Sequence, residues 1–261
     1  RTTYGTDAES TEETWPFLLK KYLAQKGGTP VEVINGGVGG FNTFQSYVRL
    51  SAYIDYLRPD IVVVFHAKND LTPFYNSYAQ GGRVFPDFSN CMRSLNFRTM
   101  SESINPLARW SYAGKVWATW RLSSRDMNLS HAYGAVKPPD IASMLATKTD
   151  FAIIETMQRN MAALCRSRGV TLVYLTQSVI DPMFTPYIDR VNDGIRLLED
   201  KGAGCFVLDL DRDFPQNPDL YQDKLHFTRK GCERAAEYIG DFILSQGILE
   251  RVDTRVPTGS S

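Results

Sequence analysis

Apolar side chains recur along the chain at two spacings, one typical of helices and one typical of strands. In residues 15–23 they lie three and four positions apart after Thr14, which predicts an amphipathic helix with Thr14 as its N-cap. Residues 31–34 form a short β-branched run that predicts a strand, and residues 44–57 predict a second helix. This part of the chain is therefore predicted as helix, strand, helix.

A continuous apolar run, Ile-Val-Val-Val-Phe, occupies residues 61–65 and predicts a strand that is covered on both faces and lies in the centre of a parallel sheet. The alternation returns later in the chain. There the pattern predicts a helix over residues 153–165, a strand over 170–175, a helix around 191–198, a strand around 205–208 and a helix from about 228 to 244. Strands that alternate with helices at these intervals predict an α/β fold with a doubly wound parallel sheet.

The stretch from residue 71 to residue 148 interrupts this alternation. It is rich in aromatic and polar residues and contains no clear strand pattern. We interpret it as a long insertion, either a cap over a ligand site or a packed structural subdomain. Residues 1–255 are predicted to form a single domain that includes this insertion, and residues 256–261 a disordered tail.

Composition and charge exclude several classes of protein. Lys+Arg and Asp+Glu both number 29, so no net field attracts a nucleic-acid backbone or an anionic membrane. No apolar run approaches the roughly 18 residues that cross a bilayer. The four cysteines are scattered, without the spacing of a zinc site or of a dense disulfide framework. We therefore expect no nucleic-acid partner, no membrane-spanning segment and no bound metal.

Three short motifs follow predicted strands at their carboxyl ends, where doubly wound sheets have their ligand sites. The first is the turn NGGVGGFNT at residues 35–43, whose glycines let backbone N–H groups approach a ligand closely. It fails as a dinucleotide-binding fingerprint, because Asn42 occupies the position that needs a further glycine. The second is AKND at residues 67–70, in which Asn69 can donate to a developing oxyanion, although Asn-Asp after a strand is also common in simple turns.

The third motif is DKLHFT at residues 223–228. Asp223 and His226 stand three residues apart immediately ahead of a predicted helix, and they can meet if the loop curls. The chain contains 3 histidines, and we interpret the other two, His66 and His131, as structural.

Taken in order, these motifs resemble those of the SGNH hydrolases, the family of GDSL-like lipases and acylhydrolases, over nearly the whole chain. The resemblance implies a flavodoxin-like three-layer α/β/α fold with a central parallel sheet. It also implies that Gly40 and Asn69 form the oxyanion hole, and that Asp223 and His226 form the charge-relay pair. Ala67 departs from the pattern, because it replaces the glycine that usually opens the Asn69 motif.

The first motif of that family carries the nucleophilic serine, and the matching segment here begins at Arg1. The spelling GGSTTxG sets Arg1 on the serine position, whereas a match with one inserted residue sets the serine immediately upstream. The family's first strand, normally central, is also missing, and a sheet without it would expose unpaired backbone. We therefore expect that an upstream piece with this strand and the serine is absent from the sequence. Thr2 and Thr3 follow the nucleophile position and are poor substitutes.

The resemblance implies a serine esterase that cleaves a carboxylic ester, with an O-acetyl or short acyl group as a candidate, and that requires no cofactor. Its partner is then a small-molecule or carbohydrate ester. Two alternatives stay open: an O-acyltransferase that uses the same site, and a catalytically inactive SGNH-like binding module in which Arg1 truly replaces serine. The sequence identifies neither the oligomeric state nor the cellular compartment.

Overall fold

The computed structural model describes residues 10–28, 30–71, 148–182 and 184–253. The spatial proximity of Cα atoms divides the chain into two compact units. One comprises residues 1–70 with 154–261, and the other comprises residues 71–153. Arg1, nearly all of the predicted insertion and the predicted tail lie outside the described residues. The interpretation of the insertion as a cap, and of residues 1–255 as a single domain, therefore stay predictions.

Helices and strands alternate in the described residues largely as the sequence predicts. The strands are β1 (Ile61–Phe65), β2 (Thr171–Leu175) and β3 (Cys205–Leu208). The helices are α1 (Trp15–Gly27), α2 (Thr43–Leu57), α3 (Lys148–Ser167), α4 (Thr185–Arg196), α5 (Leu210–Asp213), α6 (Arg229–Ser245) and α7 (Ile248–Asp253). Short 3-10 turns occur at Thr11–Glu13, Lys68–Leu71, Lys201–Ala203 and Pro218–Leu220. None of the described helices combines the length and apolar character that a bilayer crossing requires.

The three strands form a parallel sheet in the order β1-β2-β3. Val173 of β2 lies opposite Val63 of β1 on one side and Phe206 of β3 on the other. Every residue of β2 is buried, whereas most of β1 is only half-buried. The prediction that β1 is the central strand is therefore wrong for the described sheet, because an apolar run indicates a largely covered strand but does not show which strands lie beside it.

Helices cover both faces of this sheet. Side chains alternate along β2, and those on each face contact a different set of helices. Val173 and Leu175 belong to the hydrophobic core that includes apolar residues of α1 and α6, such as Leu19 and Ile239. Tyr174 faces the other way, and its hydroxyl donates to the backbone carbonyl of Gln158 in α3 at 3.1 Å. The predicted three-layer α/β/α fold with a central parallel sheet is confirmed.

The predicted strand over residues 31–34 is wrong. Val31 and Val33 are half-buried and Glu32 and Ile34 exposed, so burial alternates as in a strand, but no described strand pairs with this segment. A β-branched run favours extended backbone, yet it becomes a strand only when a neighbour completes its hydrogen-bond ladder.

Two helices begin five or more residues earlier than predicted, and one predicted cap does not form. Helix α3 begins at Lys148, five residues before its predicted start at residue 153. Thr14 precedes α1 as expected, but its hydroxyl donates to the carbonyl of Thr11 at 2.7 Å instead of capping the helix. Helix α4 begins at Thr185, six residues before the predicted start around residue 191, because Pro186 initiates a helix by fixing φ in its first turn. Helix α6 agrees with its prediction to within one residue at each end.

Candidate active site

Asp223 and His226, the predicted charge-relay pair, meet in the loop ahead of α6, which we call the Asp-His loop (residues 220–228). Oδ2 of Asp223 lies 2.7 Å from Nδ1 of His226, and Oδ1 accepts the backbone N–H of His226 at 2.8 Å. The loop curls through Lys224, whose φ of 65° lies in the left-handed region. Both carboxylate oxygens thus hold His226, and Nε2 on the far side of the ring is left to exchange a proton.

Backbone and side-chain hydrogen bonds close the Asp-His loop on itself. Thr228 N–H donates to the Leu220 carbonyl at 3.0 Å, and Tyr221 and Phe227 form an antiparallel bridge inside this closure. The hydroxyl of Thr228 accepts the N–H of Gly231 at 3.1 Å and so caps α6. The first turn of α6 therefore anchors the loop that carries the pair.

Asp223 ionises more readily than an ordinary aspartate. Burial opposes ionisation, but hydrogen bonds from the backbone and imidazole of His226 and from the backbone of Leu225 outweigh it and lower the pKa of the Asp223 carboxyl. A carboxylate at Nδ1 selects the tautomer that carries its proton on Nδ1, and it stabilises the imidazolium that forms when Nε2 takes a second proton. The pair therefore has the arrangement of a general base with its orienting carboxylate.

The glycine-rich turn leads directly into α2. Gly40 adopts a φ of 81°, which favours glycine, and the N–H of Phe41 donates to the carbonyl of Val38 at 3.3 Å. Asn42 then caps α2 reciprocally: its side chain accepts the N–H of Gln45, and the Gln45 side chain accepts the N–H of Asn42. Gly40 thus lies two residues ahead of a helix N-terminus, where partial positive charge favours an anion.

Asn69 follows β1 in the 3-10 turn Lys68–Leu71. Its Nδ2 donates to the carbonyl of Phe41 at 2.9 Å, so this turn is tied to the residue that follows Gly40. An amide nitrogen carries two hydrogens, and the bond to Phe41 uses one of them. Gly40 and Asn69, the predicted oxyanion-hole residues, are thereby brought to the same place.

Asp70 fastens the same turn to the start of α2. Its Oδ1 accepts the backbone N–H of Thr43 at 2.7 Å, and its Oδ2 accepts the Thr43 hydroxyl at 2.8 Å. Asp70 is fully buried, and burial raises the pKa of its carboxyl to about 6, although the Thr43 donors act in the opposite direction. No sequence pattern indicated a role for this residue.

Three consecutive polar residues after β2 are also buried, and the sequence analysis missed them: Thr176, Gln177 and Ser178. Thr176 donates through its hydroxyl to Asp209 after β3 at 2.8 Å, and the Ser178 hydroxyl is hydrogen-bonded to the Tyr221 hydroxyl of the Asp-His loop at 2.7 Å. Their position at the carboxyl end of a strand was the available signal, because sites in such sheets lie there.

Gln177 holds the turn that contains Asn69. Its Oε1 accepts the backbone N–H of Lys68 at 2.7 Å. Gln177 is itself held through its main chain, because its N–H donates to Asn192 Oδ1 at 2.9 Å and its carbonyl accepts Asn192 Nδ2 at 3.0 Å. Both amide side chains are almost completely buried.

The two halves of the candidate site are connected through the strand ends. Phe65, the last residue of β1, stacks on Phe227, the residue after His226, with ring centroids 6.0 Å apart. The segment after β2 also reaches the Asp-His loop, since Ile180 N–H donates to the Lys224 carbonyl at 3.0 Å. Gly40 and Asn69, the predicted oxyanion-hole residues, and the Asp-His pair thus lie at the carboxyl ends of the strands.

Three further positions considered in the sequence are not part of this geometry. The nucleophile position, at or just before Arg1, lies outside the described residues, as does His131. His66 lies directly after β1, and burial lowers the pKa of its imidazole to about 4, so this histidine is neutral near pH 7. A half-buried, neutral ring agrees with the predicted structural role of His66.

Comparison with known proteins gives one family and a set of structural neighbours. The sequence profile of the family described as GDSL-like Lipase/Acylhydrolase matches residues 2–234. No curated protein matches the chain. Among solved structures, the chain is similar to LAE5, described as an alpha/beta hydrolase enzyme from the metagenome of Lake Arreo, Spain, with a TM-score of 0.54, 16% identity and coverage of 91% of this chain and 83% of that one. It is also similar to the acetyl xylan esterase AlAXEase, with a TM-score of 0.52, 16% identity and coverage of 93% and 95%.

Proposed function

The chain belongs to the GDSL-like lipase/acylhydrolase family and is a hydrolase acting on ester bonds, and we propose which of its residues perform that reaction. A serine hydroxyl attacks the carbonyl of a carboxylic ester while His226 removes its proton, and an acyl-enzyme forms and is then hydrolysed. The single observation that carries this proposal is the 2.7 Å contact between Nδ1 of His226 and Oδ2 of Asp223.

The Asp-His pair supplies the proton transfers. Asp223 keeps the Nδ1 proton in place, so Nε2 takes the proton of the serine and then delivers it to the leaving alcohol. The lowered pKa of Asp223 supports this role, because the carboxylate stays ionised at the pH at which the imidazole must cycle.

Gly40 and Asn69 stabilise the negative charge that develops on the carbonyl oxygen. The N–H of Gly40 and the second hydrogen of the Asn69 amide are the donors, and the bond from Asn69 to Phe41 supports the proposal by fixing the amide before substrate arrives. Loss of one such donor costs about 2.7–4 kcal/mol in the transition state.

The nucleophile and the substrate complete the proposal. In this proposal the serine lies immediately upstream of Arg1, as in the family-motif match with one inserted residue, and a short acyl group, such as an O-acetyl group on a small molecule or carbohydrate, is the substrate class. The name of one structural neighbour, an acetyl xylan esterase, agrees with that class without identifying the alcohol.

The test uses protein expressed from its complete reading frame and p-nitrophenyl acetate as the substrate. We expect His226→Ala to lower kcat at least about a thousandfold, because the general base is lost, while its circular dichroism spectrum and Tm stay unchanged. Asp219→Ala is the matched control: this exposed carboxylate lies in the same part of the chain, and turnover should survive its removal. A fluorophosphonate probe should label one serine, which mass spectrometry locates.

The outcomes separate the alternatives. Undiminished turnover in His226→Ala removes the assignment of the base, and a probe adduct on a serine elsewhere removes the assignment of the nucleophile. Acyl transfer to an added sugar in preference to water identifies an acyltransferase. Absence of both turnover and labelling in a folded protein identifies a binding module.

A further inference from the structure

We propose that Gln177 is a positioning residue of this site that sets the orientation of the Asn69 amide through the backbone of Lys68. The proposal rests on the proposed function, in which Asn69 donates to the oxyanion. Gln177 lies two residues after the end of β2, outside the family motifs described above.

Gln177 is one of the contacts that hold the 3-10 turn, together with the bonds from Asn69 to Phe41 and from Thr43 to Asp70. Lys68 is the first residue of that turn, and the first N–H groups of a helix have no partner within the helix. The Gln177 Oε1 atom accepts the Lys68 N–H at 2.7 Å, from the neighbouring strand end. Asn69 is the next residue, so rotation of the Lys68 peptide plane displaces the Asn69 side chain that bonds to Phe41.

Gln177 can act as a fixed support because it is itself immobilised. Both main-chain polar groups of Gln177 are bonded to the side chain of Asn192, and Asn192 is fully buried in α4. A side chain that is locked before substrate binds keeps its partner in the productive geometry without further ordering. The support for Asn69 therefore extends from α4 through Gln177 to the turn after β1.

A purely structural role for Gln177 predicts different kinetics from a positioning role. A structural residue affects the amount or stability of folded enzyme, and its effect adds to that of any distant substitution. A residue that acts through Asn69 has an effect only while the Asn69 amide is present, so the two substitutions are non-additive.

The experiment is a double-mutant cycle on the full-length enzyme with p-nitrophenyl acetate. Gln177→Met keeps the length of the side chain and removes the acceptor, and we expect kcat to fall about 10- to 100-fold with KM changed less than about threefold. In an Asn69→Ala background the same substitution should change kcat by less than about twofold. Gln177→Glu, which restores an acceptor oxygen, should recover most of the loss.

Ser178→Ala is the matched control. It removes a buried hydrogen-bonding side chain from the adjacent position, but that side chain contacts Tyr221 and Gln216 instead of the Asn69 turn. Its effect on kcat, whatever its size, should be the same factor with and without Asn69. If Gln177→Met fails to fold, Gln177→Asn replaces it in the cycle, since it keeps an amide that is one methylene too short to reach Lys68.

Hydrogen exchange provides a readout that does not depend on activity. The exchange rate of the Lys68 amide, measured by NMR, should rise at least about tenfold in Gln177→Met or Gln177→Asn and stay unchanged in Ser178→Ala, and the Asn69 side-chain resonances should shift only in the Gln177 variants.

Unchanged kcat, a fully additive effect in the Asn69→Ala background, or unchanged exchange at Lys68 would overturn the role of Gln177. Failure of the proposed function is a separate result: no ester is hydrolysed, or His226→Ala retains activity, whatever the Lys68 amide does.

Discussion

Asp70 and Thr43, 27 residues apart in the chain, are joined by two buried hydrogen bonds of 2.7 and 2.8 Å. The bonds connect the Asn69 turn to the first residue of α2. Burial nevertheless raises the pKa of Asp70 to about 6, because it disfavours the charged carboxylate more than the Thr43 donors stabilise it.

The unfolding free energy should therefore depend on pH between the unperturbed pKa of Asp70, 3.8, and its pKa in the folded protein, about 6. Because the pKa is higher in the folded protein, the folded state binds the proton more tightly. The stability that this proton contributes is fully present below about pH 4 and is lost as pH rises through about 6. The loss in unfolding free energy amounts to up to about 3 kcal/mol for a shift of roughly two pKa units. Urea unfolding at several pH values measures it.

In Asp70→Asn this pH-dependent fall should disappear, since no proton is exchanged at that position. Asp55→Asn is the control, because Asp55 is exposed and an ion pair with Arg168 lowers its pKa, so the fall between pH 4 and 6 should persist. An equal slope in the wild type and in Asp70→Asn would contradict the assignment.

Removal of the Asn69 amide should affect the transition state more than the bound substrate. We expect Asn69→Ala to lower kcat about 100- to 1000-fold with little change in KM, because an oxyanion donor acts on charge that develops only during the reaction. Steady-state kinetics on p-nitrophenyl acetate measure both constants. A rise in KM at constant kcat would make Asn69 a ground-state binding residue.

Gly40 should be required for its backbone conformation and not for lack of space. Among the residues that the structure describes, a Cβ at this position meets no atom within 4 Å, but φ is 81°. We expect activity and stability to fall in the order Gly40→Asn, Gly40→Ala, Gly40→Val, with about 1–2 kcal/mol lost in the alanine variant. Gly36→Ala is the control, since Gly36 has equal space and an ordinary φ. Equal effects at both positions would contradict this explanation.

Gly231 should be required for close packing beneath the Asp-His loop. A Cβ there would clash with the Leu220 carbonyl oxygen, and backbone cannot yield as a flexible side chain does. We expect Gly231→Ala to cost about 1–3 kcal/mol of unfolding free energy and to lower kcat, because the loop that holds His226 is displaced. A Cβ at Gly202 would lie 3.5 Å from Oδ1 of Asp200, an ordinary van der Waals contact, so Gly202→Ala should change stability by less than about 0.5 kcal/mol.

Local patterns predicted most of the fold. Strands β1 and β3 and helix α6 follow from apolar runs and periodicity that a short window contains, and their bounds agree closely with the sequence prediction. The strand predicted over residues 31–34 is absent because a strand needs a hydrogen-bonding partner as well as β-branched residues, and a local sequence pattern does not show whether that partner exists.

In the candidate site, too, contacts between residues close in sequence were predictable and contacts between distant residues were not. Asp223 and His226 are three residues apart, so their meeting was predictable from the spacing and the helix that follows. The contact between Gln177 and Lys68 spans 109 positions and depends on the parallel pairing of β1 with β2, which sequence alone did not provide. Polar residues after a strand identify a region, but not which backbone group each one holds.

The contacts that shape the Asp-His loop lie close together in the chain. Its closure at Leu220 and Thr228, its inner bridge and its anchor on α6 all lie within a dozen consecutive residues. Most contacts that shape the predicted acid–base pair thus lie in one short segment of the chain, and Phe65, Ser178 and Ile180 contact that segment from elsewhere. Substitutions that spare these residues should leave the segment's own hydrogen bonds in place. The same compactness makes residues 219–231 a candidate for transplantation onto another doubly wound scaffold, ahead of a helix that offers a glycine in its first turn.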